Sequence, residues 1–255
     1  MKIASWNVNS LKVRLPHVLD WLDAAAPDVL CLQETKLTDE NFPAAEINAA
    51  GYQVVYSGQK TYNGVAIISK QAAHDVIMDL PGLDDPQRRI LGATISGVRV
   101  LDLYVVNGQE VGSDKYAHKL EWLGKVTSHI ETELREHERL VVLGDFNIAP
   151  DDRDVYDPDA WRERILCSTP ERTALQKLLD AGLIDTFRLF DQDEGSFSWW
   201  DYRQAAFRRN MGLRIDLILA SKSLADACSS SIIDREPRRL ERPSDHAPVM
   251  AEFSL

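Results

Sequence analysis

The chain has 255 residues, 44% of them hydrophobic, and a formal net charge of −11. That length buries most of what the unfolded chain exposes, so folding needs neither disulfide nor metal, and one α/β unit spanning 1–255 can fill it. The acidic balance excludes a protein that coats nucleic acid nonspecifically. Cys31, Cys167 and Cys228 lie far apart with no ligand spacing between them, which suits a reducing cytoplasm; Cys31, inside an apolar run, reads as an inert core thiol. The segment MKIASWNVNS has no signal-peptide core, and no apolar run reaches membrane length. The expectation is a soluble, cytoplasmic monomer with no membrane association.

In chain order, apolar β-rich runs punctuated by Gly, Pro, Asn or Asp predict strands, and apolar spacings of three and four predict helices. A strand at Ile3–Val8 precedes a helix over about Arg14–Ala25, with Val18, Leu19 and Leu22 on one face. Further strands are expected at Val29–Gln33, Gln53–Tyr56, Val65–Ser69 and Val98–Val106. A second helix covers about Tyr116–His137, with Leu120, Leu123, Val126 and Ile130 in register, and a strand occupies Leu140–Leu143. The third helix, about Glu171–Ala181, starts at Thr169-Pro170 and stops at Gly182. Strands at Ile215–Ala220 and Val249–Phe253 complete the series. The polar, turn-rich stretches Asp151–Arg164 and Asp191–Met211 read as long functional loops. Many strands, few helices and no strict βαβ alternation predict packed sheets flanked by helices.

Polar residues able to hold a metal or a phosphate gather at the strand ends. The first strand ends in Asn7-Val8-Asn9, the second in Gln33-Glu34-Thr35-Lys36, and the Leu140 strand in Gly144-Asp145-Phe146-Asn147. Arg214-Ile215-Asp216 opens one late strand and Ser244-Asp245-His246 leads into the last. An extended backbone would point Asn7 with Asn9, and Asp145 with Asn147, the same way, and Gly144 would let the backbone approach a ligand. Any one of these is an ordinary turn signal; the conjunction is not. Carboxylates and amides without cysteine suit a hard ion such as magnesium, with manganese able to substitute, and no zinc motif occurs. One histidine in a motif, His246, beside carboxylates suits an activated water and a metal-stabilised phosphoryl oxygen; the remaining histidines, at positions 17, 74, 118, 129 and 137, read as surface.

Positive charge is concentrated in Arg203, Arg208, Arg209 and Arg214, then in Arg235, Arg238, Arg239 and Arg242. Phe197, Trp199, Trp200 and Tyr202 interleave with Asp201 and Arg203, the pattern of a loop that stacks on nucleotides and grips phosphates.

Three segments together resemble the exonuclease III class of abasic-site endonucleases, in the endonuclease/exonuclease/phosphatase superfamily. They are Pro27–Lys36 (PDVLCLQETK), Asn210–Ser221 (NMGLRIDLILAS), and Asp185-Thr186-Phe187-Arg188 with Phe197-Ser198-Trp199-Trp200. The resemblance, running in order from Lys2 to Phe253, implies a four-layered α/β sandwich of two packed, mainly antiparallel β-sheets flanked by helices. It implies a magnesium-dependent DNA repair nuclease acting on double-stranded DNA at abasic sites or 3′ ends. It also implies roles: Glu34 as main metal ligand with Asn7 and Asp245 nearby, and Asp145, Asn147 and His246 within reach of the metal. Asp145 would move a proton, Asn147 and Tyr104 would contact the phosphate, and His246 would pair with Asp216. Asn107, Trp199, Leu213, Arg203, Arg208 and Arg209 would touch DNA, with Trp199 and Leu213 facing each other across an abasic-sugar pocket. Two departures stand out: Val106 replaces the family's usual proline and Leu189 its usual Lys or His, which bears on DNA affinity and not on the reaction. The rival readings are an inositol-phosphate phosphatase or sphingomyelinase of the same superfamily, which would lack a counterpart of Phe197–Arg203, and a noncatalytic binding module, against which the intact set of site residues speaks.

Overall fold

The computed structural model describes residues 1–83 and 85–255. Its strands, in chain order, are β1 (Lys2–Asn7), β2 (Val29–Gln33), β3 (Gln53–Ser57), β4 (Val65–Ser69), β5 (His74–Ile77), β6 (Ile90–Ile95), β7 (Val98–Tyr104), β8 (Leu140–Asp145), β9 (Leu183–Asp185), β10 (Asp216–Ser221), β11 (Cys228–Ile233) and β12 (Val249–Phe253). The helices are α1 (Leu11–Ala25), α2 (Ala44–Ala49), α3 (Asp114–Glu136), α4 (Pro158–Trp161), α5 (Thr169–Asp180) and α6 (Lys222–Asp226).

Two six-stranded sheets result, ordered β11-β12-β1-β2-β4-β3 and β5-β6-β7-β8-β10-β9. Each has one parallel pair at its centre, β1 with β2 and β7 with β8, and antiparallel neighbours elsewhere. The facing sheets enclose one core, with Ile3, Val29, Cys31, Val100, Val141 and Ile218 among its residues. A second core lies where α1 and α2 cover the first sheet (Trp6, Val18, Leu22, Leu30, Ile47). A third lies where α3 and α5 cover the second (Leu101, Leu123, Val126, Val142, Leu178). Helix, sheet, sheet, helix is the expected four-layered sandwich. Central strands buried on both faces have no polar side to alternate, which is why β2 and β4 read as unbroken apolar runs.

The helices expected from periodicity form, with earlier starts. Ser113 caps α3 by accepting from the Tyr116 N–H at 3.2 Å, and Glu171 reaches back to Ser168 at the start of α5. Two βαβ units occur, β1-α1-β2 and β7-α3-β8, within sheets otherwise antiparallel, so the alternation is not strict, as expected. Strands β5, β6, β9 and β11 and the short helices α2, α4 and α6 were not expected. The clearest missed signal is the Ser96-Gly97 turn between β6 and β7, where both residues take positive φ (51° and 78°) and Ile95 pairs with Val98. Among the described residues no helix is long and apolar enough to cross a membrane. Cys31 is fully buried, as expected, and burial pushes its thiol pKa up.

Candidate active site

Both central parallel pairs deliver their C-terminal ends to one place. Asn7 ends β1, Glu34 comes directly after β2, Tyr104 ends β7 and Asp145 ends β8. Asn7 joins the two sheets: its Nδ2 donates to Glu34 Oε1 and to Asp145 Oδ2, each at 2.9 Å. One ligand atom each from Glu34, Asp145 and His246 lie within 4.8 Å of one another. Lys36 Nζ lies 2.8 Å from Glu34 Oε2 and donates to Asn9 Oδ1 at 2.6 Å.

His246 comes from the loop before β12 and meets Asp216 at the start of β10, its Nδ1 2.9 Å from Asp216 Oδ2. Its Nε2 lies 3.8 Å from Asp145 Oδ2. Ser198 holds Asp216 by donating Oγ–H at 2.6 Å while accepting the Ile215 and Asp216 N–H groups at 3.0 Å. Burial disfavours the imidazolium, but Asp216 and Asp145 outweigh it and lift the His246 pKa to about 10. Burial raises Asp145 to about 7 despite the nearby imidazolium, and Asp216 adds to the rise. An imidazolium kept charged beside a carboxyl whose pKa is raised by burial is an arrangement able to do acid–base work. Burial also pushes the Tyr104 phenol up, and the charges of Glu34 and Asp145 push it further. The Arg89 guanidinium lies 4.6 Å from the Tyr104 ring centre.

Asp245 sits beside this group, accepting from Asn9 Nδ2 at 2.9 Å and Trp199 Nε1 at 3.1 Å. Asn147 donates its Nδ2 to Val105 O at 3.0 Å, and Asn107 Nδ2 donates to Asn147 Oδ1 at 3.0 Å. The structure brings together Asn7, Glu34, Tyr104, Asp145, Asn147, Asp216, Asp245 and His246, with Asn107 and Trp199 at the rim.

The local geometry differs from the expected extended pairs. Asn9 and Asn147 take left-handed backbone, φ 41° and 49°. Each offers its N–H to the side-chain oxygen two residues back, Asn7 Oδ1 at 3.0 Å and Asp145 Oδ1 at 2.9 Å. The strand ends are Asx turns, so Asn9 faces Asp245 and Lys36 rather than the partners of Asn7. Gly144 does not admit a ligand either. At its φ of 139° a Cβ would lie 1.9 Å from Leu103 O, so the glycine admits the neighbouring strand.

One expected DNA contact needs correction, and two arginines of the expected charge clusters are not free to bind phosphate. Leu213 is fully buried, packed with Ala149, Val155, Leu166 and Ile215 and paired through its backbone with Trp199 and Val155, so no surface of it faces a pocket. Arg214 is also buried, its guanidinium divided between Asp154 (2.6 Å) and Asp185 (2.7 Å). Arg238 is buried too, near the Trp200, Tyr202 and Phe207 rings and donating to the Ser244 carbonyl. Charge type in a sequence does not report whether an arginine has a buried counter-ion. Arg203, Arg208 and Arg209 are exposed, and the aromatic run divides between buried Phe197 and Trp200 and exposed Tyr202. Two of the histidines read as surface, His129 and His137, are half-buried against Glu133 at the far end of the molecule.

Sequence reasoning missed Ser198, Arg89 and Lys119. Lys119 left a signal, since it stands on the apolar face of α3 between Tyr116 and Leu123, where a lysine is out of place unless it has buried partners.

The description "Endonuclease/Exonuclease/phosphatase family" belongs to the family profile that matches residues 4–246, and the chain belongs to that family. The 3′ phosphatase NExo from Neisseria, solved bound to product DNA hairpin, is 52% identical, with a TM-score of 0.98 over 100% of both chains. An AP endonuclease from Archaeoglobus fulgidus is 38% identical, with a TM-score of 0.96 over 100% of both. Exodeoxyribonuclease III of Haemophilus influenzae is 38% identical over 99% of this chain and 100% of its own length. Within its family the chain is a DNA repair nuclease of the exodeoxyribonuclease III and AP endonuclease type. These are metal-dependent nucleases, and the Glu34, Asp145 and His246 group is acidic enough to hold an ion.

Proposed function

We propose that the protein is a magnesium-dependent phosphodiesterase acting on double-stranded DNA at 3′ ends and abasic sites, as one catalytic domain working as a cytoplasmic monomer. The observation that carries the reading is the convergence of Glu34, Asp145 and His246, with Asp216 behind the imidazole, at the meeting point of both sheets.

The donor set fits a hard cation: Glu34 and Asp145 offer carboxylate oxygens, Asp245 a third nearby, and no thiolate is at hand. Glu34 would be the principal ligand, with Asp145 beside it. Asn7 ties the two carboxylates through its amide. Bound magnesium would stabilise negative charge on the phosphoryl oxygen. Asp145 handles the proton of the attacking or leaving oxygen, its carboxyl lying 3.8 Å from His246 Nε2. His246, oriented by Asp216, presents Nε2 to the phosphate, while Asn147 and Tyr104 donate to its oxygens. Trp199 and Asn107 flank the reacting sugar, and Arg203, Arg208 and Arg209 hold phosphates without reading sequence.

The burial of Leu213 leaves Trp199 without an open apolar wall opposite it, which weighs toward 3′-end processing over capture of an abasic sugar. A labelled duplex with one abasic analogue, assayed beside an intact recessed 3′ end with magnesium, tests both. Cleavage of the 3′ end at the higher rate is expected. Cleavage of neither, or full activity in excess EDTA, would overturn the reading.

A further inference from the structure

We infer that Lys119 is a positioning residue whose buried ammonium locks the Asn107 and Asn147 segments into one rigid unit beside the reacting phosphate. Lys119 is fully buried, and its Nζ has three acceptors for three protons: Asn147 O at 2.7 Å, Asn107 O at 3.1 Å and Glu171 Oε1 at 2.5 Å. Two of the three are backbone carbonyls of the two asparagines whose side chains are bonded to each other at 3.0 Å. A lysine that served only to neutralise Glu171 would spend one proton on it. Glu171, moreover, already accepts from Leu166 N at 3.1 Å and from Ser168 N and Oγ at 3.2 and 2.6 Å.

The surroundings are shaped for this side chain. Gly108 has φ 88°, and a Cβ there would lie 3.1 Å from Lys119 Cδ, so the loop that carries Asn107 closes over the lysine stem. Asn147, at φ 49°, is held in a left-handed turn, and the bond to its carbonyl fixes the direction in which its amide projects. Burial pushes the ammonium pKa down while Glu171 pulls it back. Helix α3, in the layer that covers the second sheet, thus sets two loops that local turn chemistry alone would leave independent.

This inference rests on the phosphodiesterase reading, which wild-type cleavage in the same assay tests separately. The charge-balanced pair Lys119→Met with Glu171→Gln removes the tether without stranding a charge. We expect a cooperative thermal transition near that of the wild type. The kcat should fall roughly 10- to 100-fold, the scale of a small misplacement at the reacting centre. The half-saturating magnesium concentration should stay unchanged, because Lys119 bonds neither Glu34 nor Asp145. A folded double variant with wild-type kcat would overturn the assignment, as would a loss of rate that only tracks the fraction unfolded. Should the pair fail to fold, Lys119→Arg keeps the charge opposite Glu171 and replaces a tetrahedral donor with a planar fork. A reduced kcat at wild-type melting temperature supports the inference, and a wild-type kcat overturns it.

Discussion

The first sheet, β11-β12-β1-β2-β4-β3, and the second, β5-β6-β7-β8-β10-β9, share one plan: a central parallel pair joined by a crossing helix, with two antiparallel strands on either side. They differ in how far the chain travels from the parallel pair to the strand that pairs directly beside it. From β2 it reaches β4 through residues 34–64; from β8 it travels through residues 146–215 before reaching β10. That longer excursion holds α4, α5, β9 and the aromatic loop with Trp199 and Arg203. The half with the short return supplies Asn7 and Glu34. The half with the long one supplies Tyr104, Asp145, Asn147 and the residues expected to grip DNA. Rigid strand ends hold the carboxylates and amides of the candidate site, and the loops carry the residues expected to recognise DNA.

Removing the first sheet's carboxylate should have the largest effect. Glu34→Gln is nearly isosteric, and should leave the melting temperature intact while lowering duplex cleavage by about 10³-fold or more, the loss of several kcal/mol of metal-derived stabilisation. Excess EDTA should abolish wild-type activity, and manganese should partly rescue the variant. An unchanged rate in Glu34→Gln would remove Glu34 from the chemistry.

The bond across the sheets from His246 to Asp216 comes next. His246→Asn should cost roughly 10²–10⁴-fold in kcat, as expected for a positioned acid or base. Asp216→Asn should also be harmful, and the double variant little worse than the poorer single, because the two act as a unit. Fully additive losses in single-turnover rates would show that they act separately.

The long excursion of the second half is held by a buried ion network. Arg214→Met leaves Asp154 and Asp185 without their shared cation, and should destabilise the protein by about 3–5 kcal/mol in urea. A loss below about 1 kcal/mol would mean that Arg188, also paired with Asp154, suffices alone.

The smallest effect separates the sheets at the end away from the site. There Arg99 and Glu133 pair in a buried position, whereas Lys70 and Asp28 pair near the surface. Burial opposes ionisation of Glu133, but His129 and Arg99 outweigh it and hold its pKa at about 2. A carboxylate lowered by folding stabilises fully above its unfolded pKa, and that contribution fades as pH falls from there toward about 2. Glu133→Gln should cost about 1.5–3 kcal/mol at neutral pH and flatten the acid limb of stability over that window. Asp28→Asn should cost under about 1 kcal/mol. Denaturation curves measured across that pH range would expose equal costs, and with them the error of ranking the pairs by burial.

The strand centres, the three longer helices and the residues gathered at the site were legible in the sequence. Burial on both faces writes β2 and β4 as continuous apolar runs, and a metal-binding strand end must show its carboxylates and amides. Only the tertiary structure decided how those ends turn. Asn9 and Asn147 leave the strand in Asx turns because their own side-chain neighbours satisfy the backbone, and Gly144 is a glycine because Leu103 presses on it. Nor could the sequence sort its arginines. Arg208 and Arg214 read alike, yet one is exposed and the other is fixed between Asp154 and Asp185, distant in the chain. Whether a charge is buried depends on a counter-ion brought from elsewhere by the fold, and local periodicity carries no record of that.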